Sequence, residues 1–529
     1  MLGHVSAEAR RDVATALLVV DDSRHSTSLP ECVSLFNMVI LKKMTLSLSA
    51  LAVGASLLAG GAAMAGSARS TNDATSADRL DAFVRDQMQR ADVPGAAYAV
   101  VGPEGVRLEG TFGTDGAGDP VTAATPFLWG SVAKPVAATL VVLLADDGLL
   151  DLDDLVVEHL PEFRAADPAV SDRITVRHLL EQTSGIPDLL TLTDRYDDHR
   201  PSDVVAELSD VDLVGDPGKN HVYSSVNYLV LAAVVEEVTS RPFADVLDER
   251  LLEPVGASSA VTGVVDEGRL PPGHRYVAGR AVPFTTQIDP AGTAYGYLGG
   301  DLHDLAAFAQ ASLPGGPLLT DDERTRLTDP AVETGDDSAY GLGWRTWEVP
   351  GTGDPMVWHS GAVPGYQASI VLLPDRDEAV VVVQNAYGAF QEPELLDTAW
   401  GLATIRSGGE PELSGAGPTY PVVLGAFGVL AAGLAVLTAR SGWRLVRRRS
   451  PRGRLGVAAW LVPLGLVGAV AWMVPGLFGV DRDHLPLWAP DVAWLLDATL
   501  VLVAVLAALR VAITAREWIS APPRVDSRP

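Results

Sequence analysis

The chain has 529 residues, 20% of them charged and 47% hydrophobic, with a formal net charge of −28. That acidity sits between residues 66 and 410, which carry a net −33; such a surface repels a phosphate backbone, so no nucleic-acid partner is expected and the charge reads as solubility rather than as a patch for a cationic ligand. A single cysteine, Cys32, excludes an intrachain disulfide and thiol catalysis, and ten histidines without a His-Glu-x-x-His spacing predict no metal or other cofactor.

Residues 1–37 hold no periodic segment and are expected to be unstructured or untranslated, with translation starting at Met38 or Met44. Lys42-Lys43, the apolar run Leu46 to Gly60 and Ala63-Met64-Ala65 predict a signal peptide over 38–65. An uncleaved membrane anchor is the alternative, and either one exports the acidic region beyond it. After a small, polar linker over 66–76, Leu80, Phe83, Val84, Met88 and Ala91 recur at helical spacing from a cap at Thr75 or Ser76. Ala96 to Val101 and Val106 to Phe112 then predict a hairpin about Gly102-Pro103-Glu104-Gly105.

Residues 201 to 256 read as largely helical, and Leu302 to Leu313 as one helix. A second hairpin joins Ala368–Leu373 to Ala379–Gln384. Strands at both ends of the region with helices between them predict an α+β domain over 77–405, its terminal strands sharing one antiparallel sheet flanked by helices, with an all-helical subdomain inserted.

Beyond a linker over 406–419, three apolar stretches at 420–439, 455–480 and 492–513 are each long enough to cross a bilayer of about 30 Å. The first connector carries Arg440, Arg444, Arg447, Arg448, Arg449, Arg452 and Arg454, the second Asp481, Asp483 and Asp491. The positive-inside rule puts the arginines and a tail over 514–529 in the cytoplasm, and the acidic loop and the 77–405 domain outside. Pro463, Pro475 and Asp497 fall within or near these spans; Asp497 reads as an end residue turned toward the interface.

The chemistry centres on Ser131-Val132-Ala133-Lys134. A three-residue spacing on a helical turn brings hydroxyl and amine together, and a desolvated lysine can take the serine's proton. Tyr223, in Tyr223-Ser224-Ser225, is a second candidate base whose phenol proton a nearby ammonium would loosen. His359-Ser360-Gly361 adds a polar or cationic contact and a glycine that admits substrate to a strand backbone.

In this order and at these separations the three motifs resemble those of the penicillin-recognising serine hydrolases. The similarity is to the class C β-lactamase-like group, with its D,D-carboxypeptidases and family VIII esterases, and covers about 77–405. Gln182-Thr183-Ser184-Gly185-Ile186-Pro187, Gly299-Gly300-Asp301-Leu302 and Tyr340-Gly341-Leu342-Gly343-Trp344 support it. The resemblance implies the β-lactamase/transpeptidase-like fold and an acyl-enzyme on Ser131, with Lys134 and Tyr223 sharing its proton. It further implies an oxyanion held by the N–H groups of Ser131 and Ala362, and a substrate carboxylate anchored by His359. Two departures are present: Ser225 stands where the family has asparagine, and His359 where it has lysine. Both argue against an efficient β-lactamase and fit a peptidase, esterase or amidase acting on a small molecule or cell-wall peptide, which the three spans would tether to the membrane. The alternative is a catalytically silent binding or sensor domain coupled to the three spans.

Overall fold

The computed structural model describes residues 76–335, 338–415, 417–447, 457–477 and 480–520. The expected signal peptide, residues 1–37, most of the first linker, Arg448 to Arg454 of the first connector and the end of the tail lie outside the described residues. Helix α1 (Ser76–Ala91) buries Leu80, Val84, Met88 and Ala91 and leads into strands β1 (Gly95–Gly102) and β2 (Gly105–Gly113). The expected hairpin is thus present, as is the later one, β11 (Tyr366–Leu373) with β12 (Glu378–Gln384).

These hairpins join as expected. β1 pairs antiparallel with β12, and the sheet runs β2-β1-β12-β11-β10-β9-β8-β7, with β7 Val332–Gly335, β8 Ser338–Tyr340, β9 Arg345–Glu348 and β10 Pro355–Val363. Alternation explains the continuous Val380-Val381-Val382-Val383 run: Val381 and Val383 enter one core with Ala97 and Ala99, while Val380 and Val382 enter the other with Ala96 and Tyr98. The first core receives α4 (Leu302–Ser312), and the second receives α1 and α5 (Glu392–Arg406).

The inserted helical region packs α2 (Ala133–Asp146) against α3 (Ser225–Thr239) and several short helices in the first core. A two-stranded bridge, β3 (Phe127–Leu128) with β6 (Gly299–Gly300), delivers the chain to the start of α2. Past the domain stand α6 (Thr419–Val446), α7 (Ala458–Leu477) and α8 (Pro490–Ser520), each containing a segment long and apolar enough to cross a membrane. On α6, Val422, Val429, Val436 and Trp443, seven residues apart, remain exposed as one apolar stripe. Asp497, on α8, pairs with Arg482 of the connector.

Candidate active site

Ser131 sits in a 3₁₀ turn, Gly130–Val132, that ends immediately before α2, rather than inside the helix. The tight turn still stacks the two side chains: Lys134 Nζ donates to Ser131 Oγ at 2.9 Å. Its other bonds go to the Tyr295 carbonyl at 2.9 Å and to Ser225 Oγ at 3.3 Å. The Lys134 amine is fully buried, 4.9 Å from the centre of the Tyr223 ring and 5.8 Å from that of Tyr228. Burial among these rings pulls its pKa down to about 7; Arg345 acts the same way, against the opposing pull of Asp188 and Asp194. At neutral pH a large share of Lys134 is therefore an unprotonated amine.

Tyr223 hydrogen-bonds Ser131, so serine, lysine and phenol meet as the motif order predicts. The expectation of a loosely held phenol proton is corrected: burial pushes Tyr223 well above the ordinary phenol range, and nearby Arg345 only partly offsets this. Tyr223 is a proton donor at rest. Lys134 alone of the two has a pKa suited to taking a proton near neutrality.

The Tyr223-Ser224-Ser225 loop is held from beneath by Gln182-Thr183-Ser184. The Gln182 side-chain carbonyl accepts from the Ser224 N–H at 2.9 Å and from Asn227 Nδ2 at 2.5 Å, while Ser184 Oγ donates to Asn227 Oδ1 at 2.6 Å. Asp188, just past Pro187, accepts from the Ser225 N–H at 2.8 Å and lines the cavity, and burial pushes its carboxyl up.

Opposite, β10 comes within backbone contact of the 3₁₀ turn. A Cβ added to Gly361 would lie 2.1 Å from the Trp129 carbonyl oxygen and 2.3 Å from the Ser131 nitrogen; one added to Gly130, whose φ is +56°, would lie 2.1 Å from the Ala362 nitrogen. No side chain fits either position, which is why both are glycine. The two-residue turn Pro364-Gly365 makes Val363 and Tyr366 the hydrogen-bonded pair of the hairpin, so the next pair, Ala362 with Gln367, turns its N–H groups away from the partner strand. β9 pairs with β10 only as far as Trp358, leaving this part of the strand to face the serine.

His359 is buried, with Nδ1 2.6 Å from the Ser360 carbonyl and Nε2 3.3 Å from the Tyr340 hydroxyl. A neutral ring protonated on Nδ1 satisfies both contacts. Burial first, then Arg345 and Lys134, holds its pKa well below the ordinary value. His359 is thus a polar contact rather than a cationic one, and the cavity's fixed positive charge is Arg345, whose guanidinium carbon lies 5.2 Å from the Tyr223 ring centre and 5.4 Å from that of Tyr340. Arg345 carries no sequence signal, because it opens a four-residue strand too short to show a period and reaches the cavity only through the pairing of β9 with β10.

Ser131, Asp188, Tyr223, Ser225, Arg345, His359, Gly361 and Ala362 all line one cavity of about 540 Å³. Among the described residues, no group of three or more His, Cys, Asp or Glu side chains is arranged to hold a metal ion.

Comparison with known proteins finds relatives over this domain. Protein flp of Staphylococcus aureus (strain COL) is 24% identical over 337 residues, 62% of this chain and 66% of that protein, so the chain spans just under two thirds of this relative. Penicillin-binding protein 4 of Amycolatopsis lactamdurans is 38% identical over 172 residues, 32% of this chain and 45% of that one. Among solved structures, the octameric penicillin-binding protein homologue from Pyrococcus abyssi superposes with a TM-score of 0.57 at 23% identity, covering 65% of this chain and 80% of that chain. A class C β-lactamase gives 0.53 at 18% identity, covering 62% and 95%. The family model named Beta-lactamase matches residues 80–404, the stretch that carries the whole sheet and every residue of the cavity's serine end, and the chain belongs to that family.

Proposed function

We propose that the protein is a serine hydrolase that works through an acyl-enzyme on a peptide, amide or ester. The observation that carries this reading is the Ser131–Lys134 pair at 2.9 Å, with a lysine pulled down to about 7. Lys134 takes the hydroxyl proton as Ser131 Oγ attacks the substrate carbonyl carbon. The resulting oxyanion lies between the N–H groups of Ser131 and Ala362. As the intermediate collapses, the bond to the leaving group breaks; Tyr223 gives that group its proton and regains one from the Lys134 ammonium. Water then attacks the ester, passing a proton back along the same groups, and the acid departs as Ser131 is reprotonated. Arg345 supplies the fixed positive charge for a carboxylate or other anionic part of the substrate. With Ser225 and a neutral His359 in the positions of the family's asparagine and lysine, a β-lactam is a poor substrate at most.

A stripe of exposed valines on α6 and the hydropathy of all three helices support anchoring in a bilayer. The arginine-rich connector then lies in the cytoplasm and the hydrolase domain outside. A tagged fluorophosphonate and a labelled penicillin, incubated with the purified full chain and with Ser131→Ala, test the reading. Fluorophosphonate labelling of the parent alone is expected; equal labelling of both proteins, or of neither, refutes it.

A further inference from the structure

The cavity at Ser131 is not closed by hydrolase-domain residues alone. Away from the serine it becomes apolar and aromatic, lined by Trp347 of β9, Trp358 of β10, Leu396 and Trp400 of α5, and by Val480 and Trp488 from the connector between α7 and α8. Trp400 stands edge-on to Trp347 and Trp358 at 5.7 and 5.5 Å. The connector is fastened in place: the Ala389 N–H donates to the Trp488 carbonyl at 3.3 Å, and the Trp488 and Tyr387 rings meet edge-on at 5.5 Å. His484, farther along the connector, is close enough to draw the carboxyl of Asp194, itself on the cavity wall, downward against its burial.

The helix ends are clamped to the same domain. Tyr420, in the first turn of α6, donates to Asp491 in the first turn of α8; Asp491 also accepts from the Ala278 N–H at 2.8 Å, and the Tyr420 hydroxyl accepts from the Gly279 N–H at 2.8 Å. The Phe390 ring packs at a tilt against that of Tyr420, ring centres 5.4 Å apart. One end of a single cavity is therefore walled in part by the connector between two apolar helices, while the other holds the reactive serine. Glu392 also lines this end; burial pushes its carboxyl up to about 7, and it is bonded to Tyr387.

Resting on the hydrolase reading, we propose that the aromatic end of the cavity takes the hydrocarbon part of an amphiphilic acyl substrate drawn from the membrane in which the three helices stand, placing its carbonyl at Ser131. Moving hydrocarbon from water into such a lining is worth on the order of fourfold in affinity per methylene.

The test uses the full chain in nanodiscs with p-nitrophenyl esters from acetyl to octanoyl. We expect kcat/KM to rise by tenfold or more along the series, and Trp488→Ala to remove most of the octanoyl-to-acetyl ratio. Ser131-dependent acetyl hydrolysis without a rise in the parent overturns the inference and leaves the hydrolase reading standing, as does a ratio that survives in Trp488→Ala. No Ser131-dependent hydrolysis at any length overturns both. Since Trp488→Ala is open to misfolding, a long-chain fluorophosphonate with a terminal diazirine, bound to Ser131 of the parent, gives a second measurement. Photo-insertion into peptides containing Trp347, Trp358, Trp400 or residues 480–488 is expected; insertion confined elsewhere overturns the proposal.

Discussion

If Lys134 is the base, the rate at which a neutral fluorophosphonate labels Ser131 should rise with pH through a midpoint near 7 and then level off, because the amine must be unprotonated to receive the proton. Charges beside the lysine must move that midpoint in known directions. Lys134 Nζ and the Arg345 guanidinium carbon lie 4.9 and 5.2 Å from the centre of the same Tyr223 ring. Their separation therefore does not exceed about 10 Å, where two unit positive charges repel by about 1.7 kcal/mol at an effective dielectric of about 20, or about 1.2 pKa units. Arg345→Gln removes that repulsion, so the lysine should hold its proton to higher pH and the midpoint should climb to about 8. Asp188→Asn removes a charge that favours the ammonium, so its midpoint should fall below that of the parent. The assay is the second-order labelling rate from pH 5 to 10 on the parent and both variants. A neutral probe keeps Arg345's contact with a substrate anion out of the result. Midpoints that stay fixed, or that move together, would refute the assignment of Lys134 as the titrating base.

Two further outcomes are expected at the same site. Tyr223→Phe should lower kcat by about 10²-fold or more on an amide, whose amine must leave protonated, and by much less on a p-nitrophenyl ester, whose phenolate leaves unaided; parallel kinetics on the two substrates separate a proton donor from a merely structural ring. Gly361→Ala should cost on the order of 10²–10³ in kcat, since the new Cβ would fall 2.3 Å from the Ser131 nitrogen and push apart the two N–H donors; near-parental turnover would show that the oxyanion lies elsewhere.

Much of this site was legible in the sequence because its parts are local. A three-residue spacing is a statement about one turn, and it stayed true although the turn is 3₁₀ and Ser131 precedes the helix. The hairpins announced themselves through alternation and turn residues. Burial was not legible. It raises the Tyr223 pKa, where Tyr340 adds to the rise and Arg345 opposes it, and it lowers that of His359, where Arg345 and Lys134 add to the fall. The short strands over 332–348 were missed because Gly335, Gly341 and Gly343 interrupt them and no run is long enough to show a period. Asp188 stands just past Pro187 and belongs to none of the motifs. It reaches the site only because its carboxylate binds the Ser225 N–H across 37 positions of chain. The second connector was read for its charge alone, and its tryptophan at the cavity wall needed the tertiary structure to appear.

The exchange of lysine for histidine in the third motif need not cost the site its anion affinity, because the charge has moved one strand over. Arg345 is the register partner of Trp358, the residue before His359, and its guanidinium lies over the Tyr223 and Tyr340 rings. A guanidinium keeps its proton throughout the physiological range, whereas a histidine in that role would lose its charge as pH rises through its pKa. His359 is already neutral there, held below the ordinary histidine value by burial. The inhibition constant of a simple carboxylate, measured between pH 5.5 and 8 against neutral-ester turnover, should therefore lack the roughly tenfold loss per pH unit that accompanies deprotonation of a binding imidazolium. Over the same interval kcat/KM should rise with Lys134. An inhibition constant that weakens steadily above about pH 6.5 would return the anion to His359 and leave Arg345 with only the task of lowering the lysine's pKa.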